Sequence, residues 1–162
     1  MFKIKDLTVK NFMSVGNVTQ GLRMDKYGMT LVLGNNLDLG GDGARNGVGK
    51  TTMAKILIEQ LGVQESDVMI ANGSKEGRKI EWVDKLIPFC QTMPYGNFKV
   101  VLIDEADYMN QQSVQPALRN LMEDYSQTVR FILTCNYPNK IIPPLHSRLQ
   151  QFHILKTDHT EF

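Results

Sequence analysis

The stretch GARNGVGKTT, Gly43 to Thr52, constrains the fold of this 162-residue chain more than any other. Gly47 and Gly49 can take φ > 0 and carry no Cβ, so successive backbone N–H groups can turn inward on a phosphate. A helix opening at Lys50-Thr51-Thr52 adds the positive end of its dipole. Lys50 would reach the β- and γ-phosphates as a point charge, and the Thr51 hydroxyl would take one position on Mg²⁺. One letter departs from the strict pattern, since the spacing puts Ala44, not Gly43, at its first glycine. We read Asn46, Gly47, Val48, Gly49, Lys50, Thr51 and Thr52 as the nucleotide-binding segment. The alternative is a glycine-rich surface loop meeting a lysine by chance, and the strand before and helix after count against it.

The segments around this loop alternate. Residues 2 to 10 show strand patterning with a bulge near Asp6, and Val15 to Met24 reads as a weaker strand, so residues 1–28 form a small antiparallel unit. Met29 to Leu33 is a short apolar run flanked by glycines, the mark of a strand buried on both faces of a parallel sheet. Gly34 to Asp42 then intervenes as an insertion, either a lid or a solvated loop. Met53, Ile56, Leu57 and Leu61 fall at helical spacing, and the helix should stop at Gly62. Val68 to Ala71 is the next strand, closed by Asn72-Gly73-Ser74.

From Arg78 to Cys90, Ile80, Val83, Leu86, Ile87 and Cys90 mark one helix face, with Trp82 off that stripe and partly exposed. Phe98 to Ile103 is an apolar strand that ends abruptly in Asp104-Glu105-Ala106-Asp107. A helix follows from about Gln111 to Tyr125, then a strand over Val129 to Cys135 and another over Gln151 to Leu155. Strand and helix alternating in this way require crossover connections and a parallel sheet with helices on both faces. Ligands bind such sheets at the carboxyl ends of the strands.

The chemistry gathers at that edge. Phosphoryl transfer needs a phosphate cradle, a metal site, a water-activating group and charge stabilisers. Asp104 is delivered to the sheet edge where a carboxylate can hold Mg²⁺ opposite Thr51, and Glu105 is placed to polarise the attacking water. An Asp-Glu pair after a strand can also be a turn with a helix cap, the reading that suits Asp107 and Asn110. Asn136, at the tip of its strand, can hydrogen-bond the γ-phosphate or the lytic water. Arg148 lies too far round the sheet to reach its own nucleotide and would enter a neighbour's site, supplying transition-state charge in trans. A surface arginine is the alternative.

Charge argues little, because 18 Lys and Arg stand against 17 Asp and Glu, which leaves no global basic field for nucleic acid. Cys90 and Cys135 form no paired or metal-ligand spacing and read as reduced core thiols. The amino terminus lacks the apolar run of a signal peptide and no stretch approaches membrane-span length, so a cytoplasmic protein is expected.

From about residue 53 onward the chain resembles the ATPase core of a sliding-clamp loader, the replication factor C branch of the AAA+ family. Asn72-Gly73-Ser74, VVLIDEAD at 100–107, QPALRNLMEDY at 115–125, FILTCN at 131–136 and Pro-Leu-His-Ser-Arg at 144–148 carry the likeness. It implies Walker B roles for Asp104 and Glu105, sensor 1 for Asn136, a trans-acting finger for Arg148, and a parallel sheet of order 5-1-4-3-2. Leu149 stands where the last motif usually has cysteine. Residues 1–53, through FKIKDLTVKNFMSVGN, TLVLGNN and NGVGKTT, resemble instead the amino-terminal lobe of the SMC-like (ABC-type) ATPase subunit of a repair nuclease of the kind large phages carry. Met13 departs from that family's common basic residue.

The two resemblances together imply a natural fusion or a deliberate chimera joined at the phosphate loop. The expected fold is a single α/β P-loop NTPase domain, a three-layer sandwich with an extra amino-terminal antiparallel β unit. Its divisions are 1–28, 29–52 with Walker A, and 53–162 as an AAA+-like core without the helical lid. ATP or ADP and Mg²⁺ are the implied ligands, and hydrolysis depends on a neighbouring copy's Arg148. A homo-oligomer is the partner that arginine requires, with sliding clamp or DNA implied by resemblance alone and a phage or bacterial host cytosol as the setting. The reading from another class is a folded, catalytically idle interaction module.

Overall fold

The computed structural model describes residues 6–9, 20–23, 29–35 and 49–155. Two short strands, β1 (Asp6–Val9) and β2 (Gln20–Arg23), pair antiparallel with Leu7 opposite Leu22. The remaining strands are β3 (Met29–Asn35), β4 (Val68–Asn72), β5 (Lys99–Asp104), β6 (Val129–Cys135) and β7 (Gln150–Leu155). They form one parallel sheet in the order β4-β5-β6-β3-β7. Strand β3 runs two residues further than the apolar run suggests. Gly34 and Asn35, which sequence assigns to the insertion, pair with Ile154 and Leu155. The rest of the insertion, residues 36–42, and the expected bulge near Asp6 lie outside the described residues.

Register decides what reaches the working edge. Asn72 pairs with Asp104 across β4 and β5, and Ile103 pairs with Leu133 across β5 and β6. The residues following that last pair, Asp104 and Thr134, therefore emerge side by side at the carboxyl end of the sheet.

Strand β5 is apolar from Val100 to Ile103 because both its faces are covered. Val100 and Leu102 point toward α1 (Lys50–Gln60), packing with Met53, Ala54, Leu57 and Ile58, and with Ile132 and Phe152. Val101 and Ile103 face the other side, against α2 (Glu81–Gln91) and α3 (Val114–Asp124) through Leu86, Cys90, Leu118 and Met122. Alternation within a strand and a helix on each face give the three layers, and burying a side chain such as Leu86 or Leu118 contributes about 1.5–3 kcal/mol. A last short helix, α4 (Pro143–His146), carries proline in its first turn, where the missing N–H costs nothing.

Helix α2 corrects one expectation. Trp82 is 3% exposed, while Ile80 is 41% exposed. The helix begins at Glu81, so Ile80 precedes the first turn and escapes its period, whereas Trp82, Leu86 and Cys90 stand four apart on the buried face.

Candidate nucleotide site

Gly49 caps α1 in the left-handed region at φ 83, ψ 15, and its carbonyl accepts the Met53 N–H at 2.8 Å. Only glycine takes that conformation routinely, which explains its position immediately before Lys50. Lys50 is the first residue of α1 and half-buried. Burial pushes its ammonium below the ordinary range, against the opposing pull of Cys135, Asp104, Asp107 and Glu105. Burial also pushes the Cys135 thiol up to about 12, so at neutral pH it is uncharged and supplies no counter-charge to Lys50. Thr52, next but one in the helix, is exposed. Asn46, Gly47 and Val48 lie outside the described residues.

The Thr51 hydroxyl donates to Asp104 Oδ1 at 2.8 Å, bringing together two residues 53 apart in sequence. The Thr134 hydroxyl donates to the same oxygen. Thr134 Oγ1 in turn accepts the Glu105 backbone N–H at 3.2 Å. Thr134 is 1% exposed and was not singled out by sequence reasoning; its only signal is a hydroxyl inside the otherwise apolar FILTC run.

Glu105 has φ 55, ψ 45, and among the described residues no other non-glycine has positive φ. Such a conformation costs on the order of 1–3 kcal/mol and persists only where surroundings impose it. They do so here from both sides. Thr134 holds the Glu105 N–H, while the Gly73 N–H donates to Asp104 O at 2.7 Å. A Cβ on Gly73 would meet the Glu105 carbonyl oxygen at 2.5 Å. The turn after β4 is set by Asn72, whose Oδ1 accepts the backbone N–H of Ser74 at 2.9 Å and of Lys75 at 3.2 Å.

Asp107 is not a helix cap. It lies in a 3-10 turn, Ala106–Tyr108, at 4% exposure. Burial raises its pKa, opposed by its own backbone amide, the Asn136 amide, the Lys140 charge and the Tyr137 amide. These amides lie near enough to favour the ionised form, although neither carboxylate oxygen completes a hydrogen bond of good geometry. Asp107 thus faces the segment that carries Asn136, the half-buried residue just past β6. Asn110 is not the N-cap of α3 either, a position held by Ser113; its Oδ1 closes the turn ahead of the helix, accepting from the N–H groups of Gln112 at 2.9 Å and Ser113 at 3.0 Å.

Gln115, fully buried and also unmarked in the sequence, donates to Lys140 O at 2.9 Å and accepts the Ile142 N–H at 2.8 Å. It ties the first turn of α3 to the segment between Asn136 and α4. Arg148 stands apart from the Asp104 cluster. Its described hydrogen-bond partners are Glu123 of α3, the Pro144 carbonyl at 2.7 Å and Ser147 Oγ at 3.3 Å.

The residues present fit Mg²⁺ and a nucleoside triphosphate. A hydroxyl and a carboxylate converge on one point beside a half-buried ammonium and a helix amino terminus, and Mg²⁺ characteristically takes one or two carboxylates and completes its shell with waters and phosphates. Among the described residues no group of three or more His, Cys, Asp and Glu could hold a metal by itself.

Sheet, helices and this edge define an α/β fold of the P-loop NTPase type. Residues 44–156 match the family described as "ATPase family associated with various cellular activities (AAA)", and the chain belongs to it. It is 43% identical over 118 residues to the replication factor C small subunit of Methanococcus maripaludis, covering 69% of this chain and 37% of that protein. The chain thus spans a little over a third of that relative's length.

Its fold is similar to a DNA polymerase III gamma subunit-related protein from Thermotoga maritima, with TM-score 0.60, 15% identity, and 78% of this chain and 40% of the other covered. RuvB from the same organism, in a single-substitution variant, gives TM-score 0.54 at 19% identity, with 78% and 37% covered. Family membership implies nucleotide binding. Among the described residues no helix is long and apolar enough to cross a membrane.

Proposed function

We propose that this chain is a Mg-ATP-binding domain of clamp-loader type that hydrolyses ATP to ADP and phosphate when copies assemble. The observation that carries the reading is the convergence of Thr51 and Thr134 on Asp104, with Glu105 held next to it in a strained conformation. Asn46 to Thr52 cradle the phosphates, and Lys50 neutralises the β- and γ-oxygens. Thr51 and Asp104 hold Mg²⁺, which when bound offsets charge on the transferring phosphoryl group. Glu105 takes the proton of the attacking water from a backbone position fixed next to Asp104 at the sheet edge. Asn136 orients that water or the γ-phosphate. Arg148 serves the nucleotide of a neighbouring copy, consistent with its partners on α3 and α4 and not in its own cluster.

Calorimetry with Mg-ATP tests the binding step. Lys50→Ala should abolish the heat of binding, and an unchanged isotherm in that variant would sink the reading. Because Arg148 acts on a neighbour, turnover per chain should rise with protein concentration. Mg-ATP should also raise the melting temperature, since a ligand that binds the folded state alone stabilises it. No shift at millimolar nucleotide would favour the idle interaction module instead.

We further infer that residues 1–53 come from an SMC-like, phage-type parent and the remainder from a clamp-loader parent. The AAA match leaves out residues 1–43, where the antiparallel β1–β2 pair lies, which supports a separate origin for that part, while residues 44–53 fall inside the match. The β4-β5-β6-β3-β7 succession supports an AAA+ sheet of order 5-1-4-3-2. Nucleotide and a homo-oligomer are the proposed partners, with sliding clamp and DNA following only through the replication factor C likeness, and the cytoplasm of a phage-infected or bacterial cell as the setting. A deletion starting at residue 29 that still bound Mg-ATP with unchanged heat would indicate that the β1–β2 unit is dispensable to the nucleotide site.

A further inference from the structure

The guanidinium of Arg148 is held before any neighbour arrives. Nε and Nη2 both donate to the same Glu123 carboxylate oxygen, and Nη1 donates to the Pro144 carbonyl at 2.7 Å. The backbone is fixed as well, with the Arg148 N–H on Leu145 O at 3.0 Å. Glu123 rides the last turn of α3, which Leu118, Leu121 and Met122 anchor in the core. Arg119, one turn earlier, brings its Nε to 4.0 Å from the same oxygen.

We propose that Glu123 is a positioning residue that orients Arg148 for the nucleotide of a neighbouring copy. The proposal rests on the trans role assigned to Arg148 above. A guanidinium has five N–H groups in a planar fork. Glu123 takes its rear edge, and the Pro144 carbonyl with the longer 3.3 Å contact to Ser147 Oγ takes Nη1, which leaves one uncommitted donor on Nη2 for a phosphate oxygen. A long side chain fixed in this way surrenders less rotamer freedom when it engages an anion. Exposure of 33% for the Arg148 side chain and 40% for Glu123 leaves the pair accessible to an incoming subunit.

Subunit mixing separates this role from the others. A Lys50→Ala chain binds no nucleotide and offers only its arginine; an Arg148→Ala chain binds nucleotide and lacks the arginine. Their mixture should regain turnover. Adding Glu123→Ala to the Lys50→Ala chain should lower that turnover roughly three- to tenfold, the effect of freeing one rotamer-rich side chain. The concentration for half-maximal activity should stay unchanged, and Glu123→Gln, which keeps an acceptor oxygen, should recover most of the loss. Undiminished or increased turnover with Glu123→Ala, or a loss with Glu123→Gln as large as with Glu123→Ala, overturns the proposal while leaving the trans arginine standing. If the first mixture regains nothing, the trans role fails and the positioning role with it. Circular-dichroism melts of the Glu123 variants check that they remain folded.

Discussion

The Asp104 cluster and the Arg148 corner are each a carboxylate collecting hydrogen-bond donors, but they are built in opposite environments. Asp104 receives two threonine hydroxyls at the end of a strand buried on both faces, and Thr134 is 1% exposed. Glu123 receives a guanidinium at the surface, with both partners a third or more exposed. In the first case register across β5 and β6 fixes the geometry, and losing a partner leaves a half-buried polar group short of a hydrogen bond. In the second, water replaces whatever is removed. On the proposed mechanism, the groups that serve a chain's own nucleotide are held by the sheet register, and the group offered to a neighbour is held by a surface contact.

The largest effect should come from Glu105→Gln, which keeps the size of the side chain and removes the base. On the proposed mechanism, turnover in the assembled protein falls about 10²–10⁴-fold while calorimetric Mg-ATP affinity holds. Turnover that survives in Glu105→Gln would take the residue out of the reaction. Next is Gly73→Ala, because the added methyl meets the Glu105 carbonyl oxygen at 2.5 Å and the Glu105 carbonyl carbon at 3.2 Å. Neither atom can swing aside as a side chain would, so we expect the upper part of about 1–3 kcal/mol in denaturant melts, with turnover lost alongside. If Gly73→Ala melts like the parent, the Glu105 backbone is less tightly imposed than its contacts indicate.

Thr134→Val should cost less, about 1–2 kcal/mol, because Asp104 keeps the Thr51 hydroxyl and only the Glu105 N–H loses its acceptor. Thr134→Ser keeps the oxygen and should retain most of the stability. The pair separates the hydroxyl from the methyl, and equal losses in both variants would assign the effect to packing.

What sequence made legible follows the same division. A run such as VRFILTC, short and rich in β-branched and aromatic residues, reads as a strand covered on both faces, and a carboxylate following FKVVLI reads as its exit at an edge, so Asp104 could be read from local pattern. Thr134 could not, because a β-branched residue in a strand reads as strand propensity and its partner is set by register with a distant segment. Asp107 and Gln115 were opaque for a related reason. Their burial depends on amides and carbonyls of residues 136–142, contacts that close only when α3 packs beside that segment. Trp82 was misjudged because the period was counted from Ile80, one residue before the helix begins. For residues 46–48 the pattern alone speaks.

The smallest effect tests the comparison most directly. Glu123→Ala removes the main partner of Arg148, yet an exposed ion pair contributes about 0–1 kcal/mol, which in a protein of this size shifts the melting temperature by no more than about 2–4 °C. The shift should also fade toward about 1 M salt, where the screening length falls to roughly 3 Å, whereas the Thr134→Val deficit should persist because buried groups are screened much less. A Glu123→Ala loss as large as that of Thr134→Val, and as indifferent to salt, would mean the surface pair is part of the fold's framework. A small, salt-sensitive loss would mean that the fold holds Arg148 just firmly enough to aim it. On the proposed reading, such a contact keeps the rear edge of the guanidinium oriented while its remaining donor stays available to a neighbour's phosphate.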